Sequence, residues 1–415
     1  MNKKAHRALV AEAMADNSIL ICYAGIPLHS NEDDYYDFEV NSNFFWLTGL
    51  EREKQALVMI KMQDEVKEYL FIEEKNELAE RWTGKMPSQE DVARISGVDK
   101  DNVLFVDRLD SFVSWNIDFD VLQTAYFDTF RNSPEDLYDY NLVAAKRFAK
   151  AYPSVRILNL RPIVARFRKT KDAEEVGEIR RAIGVTANGL KEVLRILRPG
   201  MKEYQVQAVF ECSCKYQGAT RFSFTTISAA GLNGCNMHYV TNRDEIKDGD
   251  LLLLDLGAKY GNYCSDITRT YPANGKYTPR QRQFYDLVLK ANLEVKKAAR
   301  PGVTLKDLND VAKKVLGEGL VELGLISDPA EVGKYYMHSV SHSIGIDCHD
   351  VTVGGRELRP GWIISDEPGL YIDEEKIGIR IEDDLLITED GCECLSESIL
   401  RDPDQIEAYM AAHRR

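Results

Sequence analysis

Three of the seven histidines, His338, His342 and His349, fall within twelve positions in the stretch YMHSVSHSIGIDCHDVTVG, residues 336–354, with Asp347 and Asp350 beside the last of them. Imidazoles at that density among small and apolar residues can ligate a metal, move protons or form a structural cluster. Carboxylates elsewhere in the chain bear on the choice. Asp255 interrupts the apolar run LLLLDL, and Asp266 follows eleven residues later in CSDITRTY. Residues 251–271 read as a hairpin about Tyr260-Gly261-Asn262. A two-residue loop at Tyr260-Gly261 sets Asp255 directly opposite Asp266, and one at Gly261-Asn262 shifts the pair by two. Either register leaves both on one face, where opposed Cβ atoms lie about 5 Å apart; a three-residue loop without a bulge would put them on opposite faces. Two anions facing each other at the end of a buried strand need a cation or a shared proton.

Two more acids join them. Glu367 precedes a turn-forming Pro-Gly in SDEPGLYI. Glu382 follows Arg380 in IGIRIEDDLLI, which reads as one strand with Ile379 and Ile381 on one side and Arg380 and Glu382 on the other. That polar pair is either a buried ion pair or a metal ligand with its neighbour. Together Asp255, Asp266, His342, Glu367 and Glu382 carry too much negative charge for one zinc with three protein ligands. They suit two divalent ions, Mn²⁺ or Co²⁺, bridged by carboxylates. Such a pair, about 3.5 to 4 Å apart, brings the pKa of a bound water toward about 7 and polarises a carbonyl, so hydrolysis is the natural reaction class.

The elements that must hold these groups divide into two parts. At 415 residues the chain exceeds one ordinary core. Residues 18–24, 56–61, 68–73 and 103–106 read as strands, and 77–84, 88–95 and 138–152 as helices, which makes the first part an α/β unit. The acidic segment 31–37 reads as a surface loop, and Phe44, Phe45 and Trp46 as core. The pattern changes near Arg161-Pro162, placing a boundary at 160–170. From Thr170 a long helix is predicted, with Asp172, Glu174 and Glu175 in its first turn and Val176, Ile179, Ile183 and Leu190 to Leu197 along one face. It stops at Arg198-Pro199-Gly200, and a second helix follows over 202–217. LRPGMKEYQVQA (197–208) recurs as ARPGVTLKDLND (299–310), and KDGDLLLLD (247–255) as LRPGWIISDE (358–367). Two echoes in the same order predict a duplicated, pseudo-two-fold domain in which each half brings a carboxylate at the end of an equivalent strand.

Composition removes other classes. A net charge of −14 without a Lys/Arg-dense run argues against nucleic acid. No apolar run approaches the roughly 18 residues that span a bilayer, and the first residues lack the apolar core of a signal peptide, so a cytoplasmic protein without membrane contact is expected. The eight cysteines fit reduced thiols. Cys212/Cys214 and Cys392/Cys394 are C-x-C pairs, read as buried small hydrophobes.

The stretches NGCNMHYVTN, LLDLGAKYGNYCSDITRTYP, HSVSHSIGIDCHD, DEPGLYI and GIRIEDD resemble the M24 metallopeptidase family, in its aminopeptidase P and prolidase branch. The resemblance implies an α/β N-terminal domain over 1–165 and an α+β pita-bread catalytic domain over 166–415 with internal pseudo-two-fold symmetry. It implies Asp255, Asp266, His342, Glu367 and Glu382 as ligands of two metals, usually manganese, with Co²⁺ or Zn²⁺ as alternatives. Glu367 would also orient the bridging hydroxide and shuttle a proton to the leaving imide nitrogen. His238 and His349 would bind substrate and stabilise the tetrahedral intermediate, His338 would lie beside the proline pocket, and Arg380 would stand behind the bridging glutamate in a positioning role. DYYDFEVNSNFFWLTGLE resembles the N-terminal domain of aminopeptidase P, with Trp46 where the family pattern has tyrosine. Arg81-Trp82-Thr83-Gly84 resembles a stretch whose tryptophan reaches a neighbouring subunit, implying a homo-oligomer, dimer or tetramer. Ser339 stands where the family often has glycine. The implied function is removal of an N-terminal residue before proline from proline-containing peptides; the alternatives are a prolidase restricted to X-Pro dipeptides and a non-catalytic pita-bread binding protein. Metal-free pita-bread enzymes and binding modules have lost ligands, whereas all five stand here.

Overall fold

The computed structural model describes residues 2–63, 65–117, 121–136, 139–352 and 357–413. Tyr138, at the start of one predicted helix, and Val353 and Gly354, at the end of the histidine-rich stretch, lie outside them. The chain folds as two compact units, residues 1–168 and 169–415.

The first unit runs α1 (Lys3–Ala13), β1 (Ser18–Tyr23), α2 (Ser42–Thr48), β2 (Ala56–Met62), β3 (Glu65–Ile72), α3 (Glu77–Thr83), α4 (Gln89–Ser96), β4 (Val103–Phe105), α5 (Leu109–Ile117), β5 (Thr124–Phe127), α6 (Tyr140–Ala151), β6 (Arg156–Asn159) and α7 (Arg161–Arg168). Its strands form one mixed sheet in the order β4-β3-β2-β1-β5-β6. The pairs β1-β2 and β2-β3 are antiparallel, the second a tight hairpin, while β1-β5, β5-β6 and β3-β4 are parallel. Ile19, Ile21, Val58, Phe71, Phe127 and Phe148 fill the core of this unit. The predicted strands and helices are present, and Phe44, Phe45 and Trp46 are buried on α2.

The second unit continues with α8 (Ala173–Ile196), α9 (Glu203–Tyr216), β7 (Arg221–Phe222), β8 (Ile227–Ala230), β9 (Leu251–Leu256), β10 (Ala258–Tyr260), β11 (Tyr263–Cys264), β12 (Ile267–Pro272), α10 (Pro279–Ala298), α11 (Leu305–Glu322), β13 (Ile363–Asp366), β14 (Gly369–Ile372), β15 (Ile377–Arg380), β16 (Asp383–Ile387), β17 (Cys392–Cys394) and α12 (Pro403–His413). Two helix pairs, α8 on α9 and α10 on α11, repeat the same order before β9 and β13, the strands that bring Asp255 and Glu367. The long helix starts three residues later than predicted. Asp172 caps it by accepting from the Glu174 and Glu175 amides while Glu175 accepts from the Asp172 amide, which leaves Thr170 and Lys171 extended ahead of it.

Candidate metal centre

The hairpin realises the second of its two registers. Gly261 and Asn262 both take positive φ, the turn form that suits right-twisted strands, and Tyr260 pairs with Tyr263. The same register sets Thr268, not Asp266, opposite Asp255. Gly257 separates β9 from β10 because a Cβ there would lie 1.9 Å from the Ser265 carbonyl. That close approach lets the return strand bend at Asp266. IGIRIEDDLLI is two strands, not the one predicted: β15 pairs with β14, and β16 pairs with β13 and β17. At the break the Glu382 amide turns to the Thr268 carbonyl at 3.0 Å.

His342 comes from a segment that runs antiparallel beside β13. The Ser365 amide donates to the His342 carbonyl, the Glu367 amide to the Val340 carbonyl and the Ile344 amide to the Ile363 carbonyl. His342 Nδ1 lies 3.2 Å from the Ser343 carbonyl, which can only accept, so Nδ1 carries the proton and Nε2 is free to face the acids. Nε2 stands 3.3 Å from Asp266 Oδ2, 3.5 Å from Glu367 Oε1 and 4.0 Å from Glu382 Oε1. Donor atoms of Asp266, His342 and Glu382 all lie within 4.8 Å of one another. These groups, with Asp255, Glu367, Arg380, His238, His338, His349 and Cys348, line one cleft of about 740 Å³.

Two buried polar partners behind this cleft, Thr268 and Tyr371, were not singled out from the sequence. Arg380 extends Nη2 to Asp255 Oδ2 at 2.5 Å, Nε to Thr268 Oγ1 at 3.2 Å and Nη1 to the Tyr371 hydroxyl at 2.7 Å. Its ion pair is therefore with Asp255, while Thr268 passes its own proton to Glu382 Oε2 at 2.7 Å. Because arginine only donates, the Tyr371 oxygen accepts from it and gives its proton to His338 Nε2 at 2.8 Å. His338 Nδ1 then donates to the Ser339 carbonyl at 2.9 Å. Tyr371 lies directly opposite Gly378 on the face of Arg380, so strand alternation from Arg380 pointed to it. Cys348 Sγ lies 2.9 Å from Asp266 Oδ2.

Burial sets the electrostatics. It pushes Asp255 and Glu382 up, with Asp266 adding to both, and takes Glu367 up to about 7. For His342 burial acts downward, but the Asp266 hydrogen bond and charge, with Glu367, raise it to about 9. His338 is lowered to about 4 by burial, and His349 is lowered by burial and then by His342. Carboxyls pushed up by burial and by one another mark a place for positive charge. Among the described residues, Asp255 Oδ1 is buried with no hydrogen-bond partner. The orphaned oxygen and the all-oxygen-and-imidazole donor set fit hard to borderline divalent cations.

The family model for metallopeptidase family M24 matches residues 177–389. The chain belongs to metallopeptidase family M24. Residues 4–118 match the model for the aminopeptidase P N-terminal domain. Among M24 relatives, the Xaa-Pro aminopeptidase of Escherichia coli is 33% identical, with 99% of this chain and 97% of the relative covered. Xaa-Pro aminopeptidase 1 of Streptomyces coelicolor is 28% identical over 98% of this chain and 86% of its own. The structure of zinc-substituted E. coli aminopeptidase P with product superposes at a TM-score of 0.91, with 32% identity, 100% of this chain and 98% of that chain covered. The second unit is accordingly a pita-bread fold, and the first an α/β domain of the aminopeptidase P type.

Cys392 and Cys394 are partly buried on β17 and Cys214 is buried, but Cys212 is exposed because it falls on the outer side of α9. All eight cysteines are unpaired. Among the described residues no helix is long and apolar enough to cross a membrane.

Proposed function

We propose that this chain is a dinuclear metallo-aminopeptidase that hydrolyses the bond between an N-terminal residue and a following proline. The observation that carries this reading is the convergence of Asp255, Asp266, His342, Glu367 and Glu382 on one cleft that three further histidines flank. In this reading those five residues hold two divalent ions, Mn²⁺ first, with Co²⁺ or Zn²⁺ as alternatives. When bound, the ions acidify a water and polarise the scissile carbonyl.

The side chains divide the rest of the work. Glu367 takes a proton from the attacking water and returns it to the proline nitrogen as the C–N bond breaks. Arg380 holds Asp255 and, through Thr268, Glu382 in their ligating orientations. His238 and His349 grip the peptide and oppose the developing oxyanion. His338, neutral and with both ring nitrogens engaged, offers an uncharged wall suited to a pyrrolidine ring. A bond before proline has no N–H to pair, so recognition through the carbonyl and the ring suits it better than strand pairing.

The match of residues 4–118 to an aminopeptidase P N-terminal domain favours longer peptides over dipeptides; the proposed division is 1–165 and 166–415. Helix α3 buries none of its residues and holds Leu78 and Trp82 67% and 85% exposed, which supports a homo-oligomer with Trp82 at a neighbouring copy's cleft. The unpaired thiols support a reducing, cytoplasmic setting. The test is cleavage of a tripeptide X-Pro-Y beside the dipeptide X-Pro by Mn²⁺-loaded protein. Release of X from the tripeptide is expected; cleavage of the dipeptide alone would make the chain a prolidase.

A further inference from the structure

The loop from Ser343 to Asp350 joins two histidines of the cleft, His342 just before it and His349 near its end. It has no regular structure, yet it is closed on itself. The Asp350 amide donates to the Ser343 carbonyl at 2.8 Å and the Gly345 amide to the Asp347 carbonyl at 3.1 Å. The Asp350 side chain turns inward, where Lys171 Nζ meets its Oδ2 at 2.9 Å. Both side chains are sealed from solvent, 1% exposed for Lys171 and 0% for Asp350. Lys171 stands just ahead of the α8 cap. Its amide donates to the Gly361 carbonyl in the turn entering β13, and its ammonium also donates to the Lys169 carbonyl at 3.2 Å. A Cβ on Gly345 would lie 2.3 Å from Asp350 Oδ2 and 3.1 Å from Lys171 Cε, so the absent side chain is the space the ion pair fills. At the cleft end of the loop the His342 and His349 rings stack, centroids 3.9 Å apart and planes 16° from parallel.

A buried ion pair is a poor source of stability, since an apolar pair of the same volume often serves as well. What this pair does supply is geometry. It ties the entry of β13, beside which His342 runs, to the far end of the loop that carries His349. We infer that Lys171 is a positioning residue that acts through Asp350 to set the His349 ring against His342. This rests on His349 facing the substrate in X-Pro cleavage.

The test is a cycle of variants, each loaded with Mn²⁺ and assayed on X-Pro-Y with metal content measured by mass spectrometry. Lys171→Met alone strips a buried carboxylate of its ammonium and risks unfolding, so the informative variant is Lys171→Met with Asp350→Asn, which removes both charges and keeps both volumes. It is expected to retain metal while kcat falls about tenfold or more and KM moves less than about threefold, the pattern of lost transition-state contact. In a His349→Ala background the same pair should change kcat less than about twofold, because the group it acts through is gone. Lys171→Arg should restore part of the loss. An equal fold-loss in both backgrounds, or no loss in either, overturns the inference. A readout independent of turnover separates it from the functional reading: in Zn²⁺-loaded protein the His349 Cε1–H resonance, shifted by the stacked His342 ring, should move in the double variant. An unmoved resonance overturns the positioning role even if the chain cleaves X-Pro-Y. A moved resonance with no peptide cleavage by the unmodified chain sustains it and removes only the functional reading.

Discussion

Raising the pH should weaken the metal-free protein and tighten its hold on metal, and the side chains of the centre give the size of both effects. Without a cation, Asp266 and Glu367 outweigh burial and hold His342 at about 9, while burial first and Asp266 next hold Glu367 at about 7. In an unfolded chain these groups titrate near about 6.5 and 4.3. Both folded values are the higher, so the folded state carries the extra protons. The stability they contribute is whole below the unfolded values and is lost as pH rises through the folded ones. His338 runs the other way: burial lowers it to about 4, so its contribution grows with pH between about 4 and 6.5 and is flat above. Above neutrality the contribution of His342 is lost, in the same sense as those of Asp255 and Glu382, which burial also pushes up. For His342 the rise from about 6.5 to about 9, at about 1.36 kcal/mol per tenfold, amounts to about 3 kcal/mol lost between pH 6.5 and 9. A metal must displace that proton, so its affinity at pH 7 should be about a hundredfold below its value above pH 9, with about one proton or more released per site filled. The assay is calorimetric titration of Mn²⁺ into chelator-treated protein at about pH 6.5, 7.5 and 8.5, in two buffers of different ionisation enthalpy, alongside thermal unfolding of both forms. The unfolding temperature of the metal-free form should fall along the series while its gap to the loaded form widens. An affinity flat across that range, or equal heats in the two buffers, would refute the placement of His342 among the acids.

Other outcomes follow from single contacts. Asp266→Ala should abolish X-Pro-Y cleavage and lower metal content, since this carboxylate faces His342 and Glu382 together; retained activity at full occupancy refutes a bridging role. Tyr371→Phe strips the donor from His338 Nε2 and the acceptor from Arg380 Nη1, at about 1–3 kcal/mol, so kcat/KM should fall roughly ten- to hundredfold with metal retained. Thr268→Val keeps the shape of β12 but cuts the link between Arg380 and Glu382, and should weaken metal binding by about tenfold as counted by competition with a chelator.

Much of the centre was legible because its groups break local rules. A carboxylate inside LLLLDL and a Pro-Gly directly after Glu367 both contradict an ordinary strand, and both proved to lie in the cleft. Gly261-Asn262 named the turn, but two registers were open; the one realised sets Thr268 opposite Asp255, and the close approach of Gly257 to the Ser265 carbonyl is a pairing detail that side-chain alternation does not carry. IGIRIEDDLLI alternates like one strand, yet it changes partners at Ile381 and Glu382. Period-two reading sees side-chain faces and not which neighbour supplies the hydrogen bonds. In the first unit, α1, α2, α5, α7, β5 and β6 went unread: α1 mixes lysine and arginine into its buried side, with Lys3 and Arg7 sealed, the other three helices run only seven to nine residues, and the strands TAYF and RILN are too short to show a period. Lys171 and Asp350 lie 179 positions apart, beyond any spacing argument.

The account stands most directly on the number of metal ions that catalysis requires. Stripped protein titrated with Mn²⁺, with bound metal counted and X-Pro-Y cleavage followed in the same samples, should gain full activity only as occupancy reaches about two ions per chain. Full activity without metal, or no cleavage of X-Pro-Y at full occupancy, would contradict it.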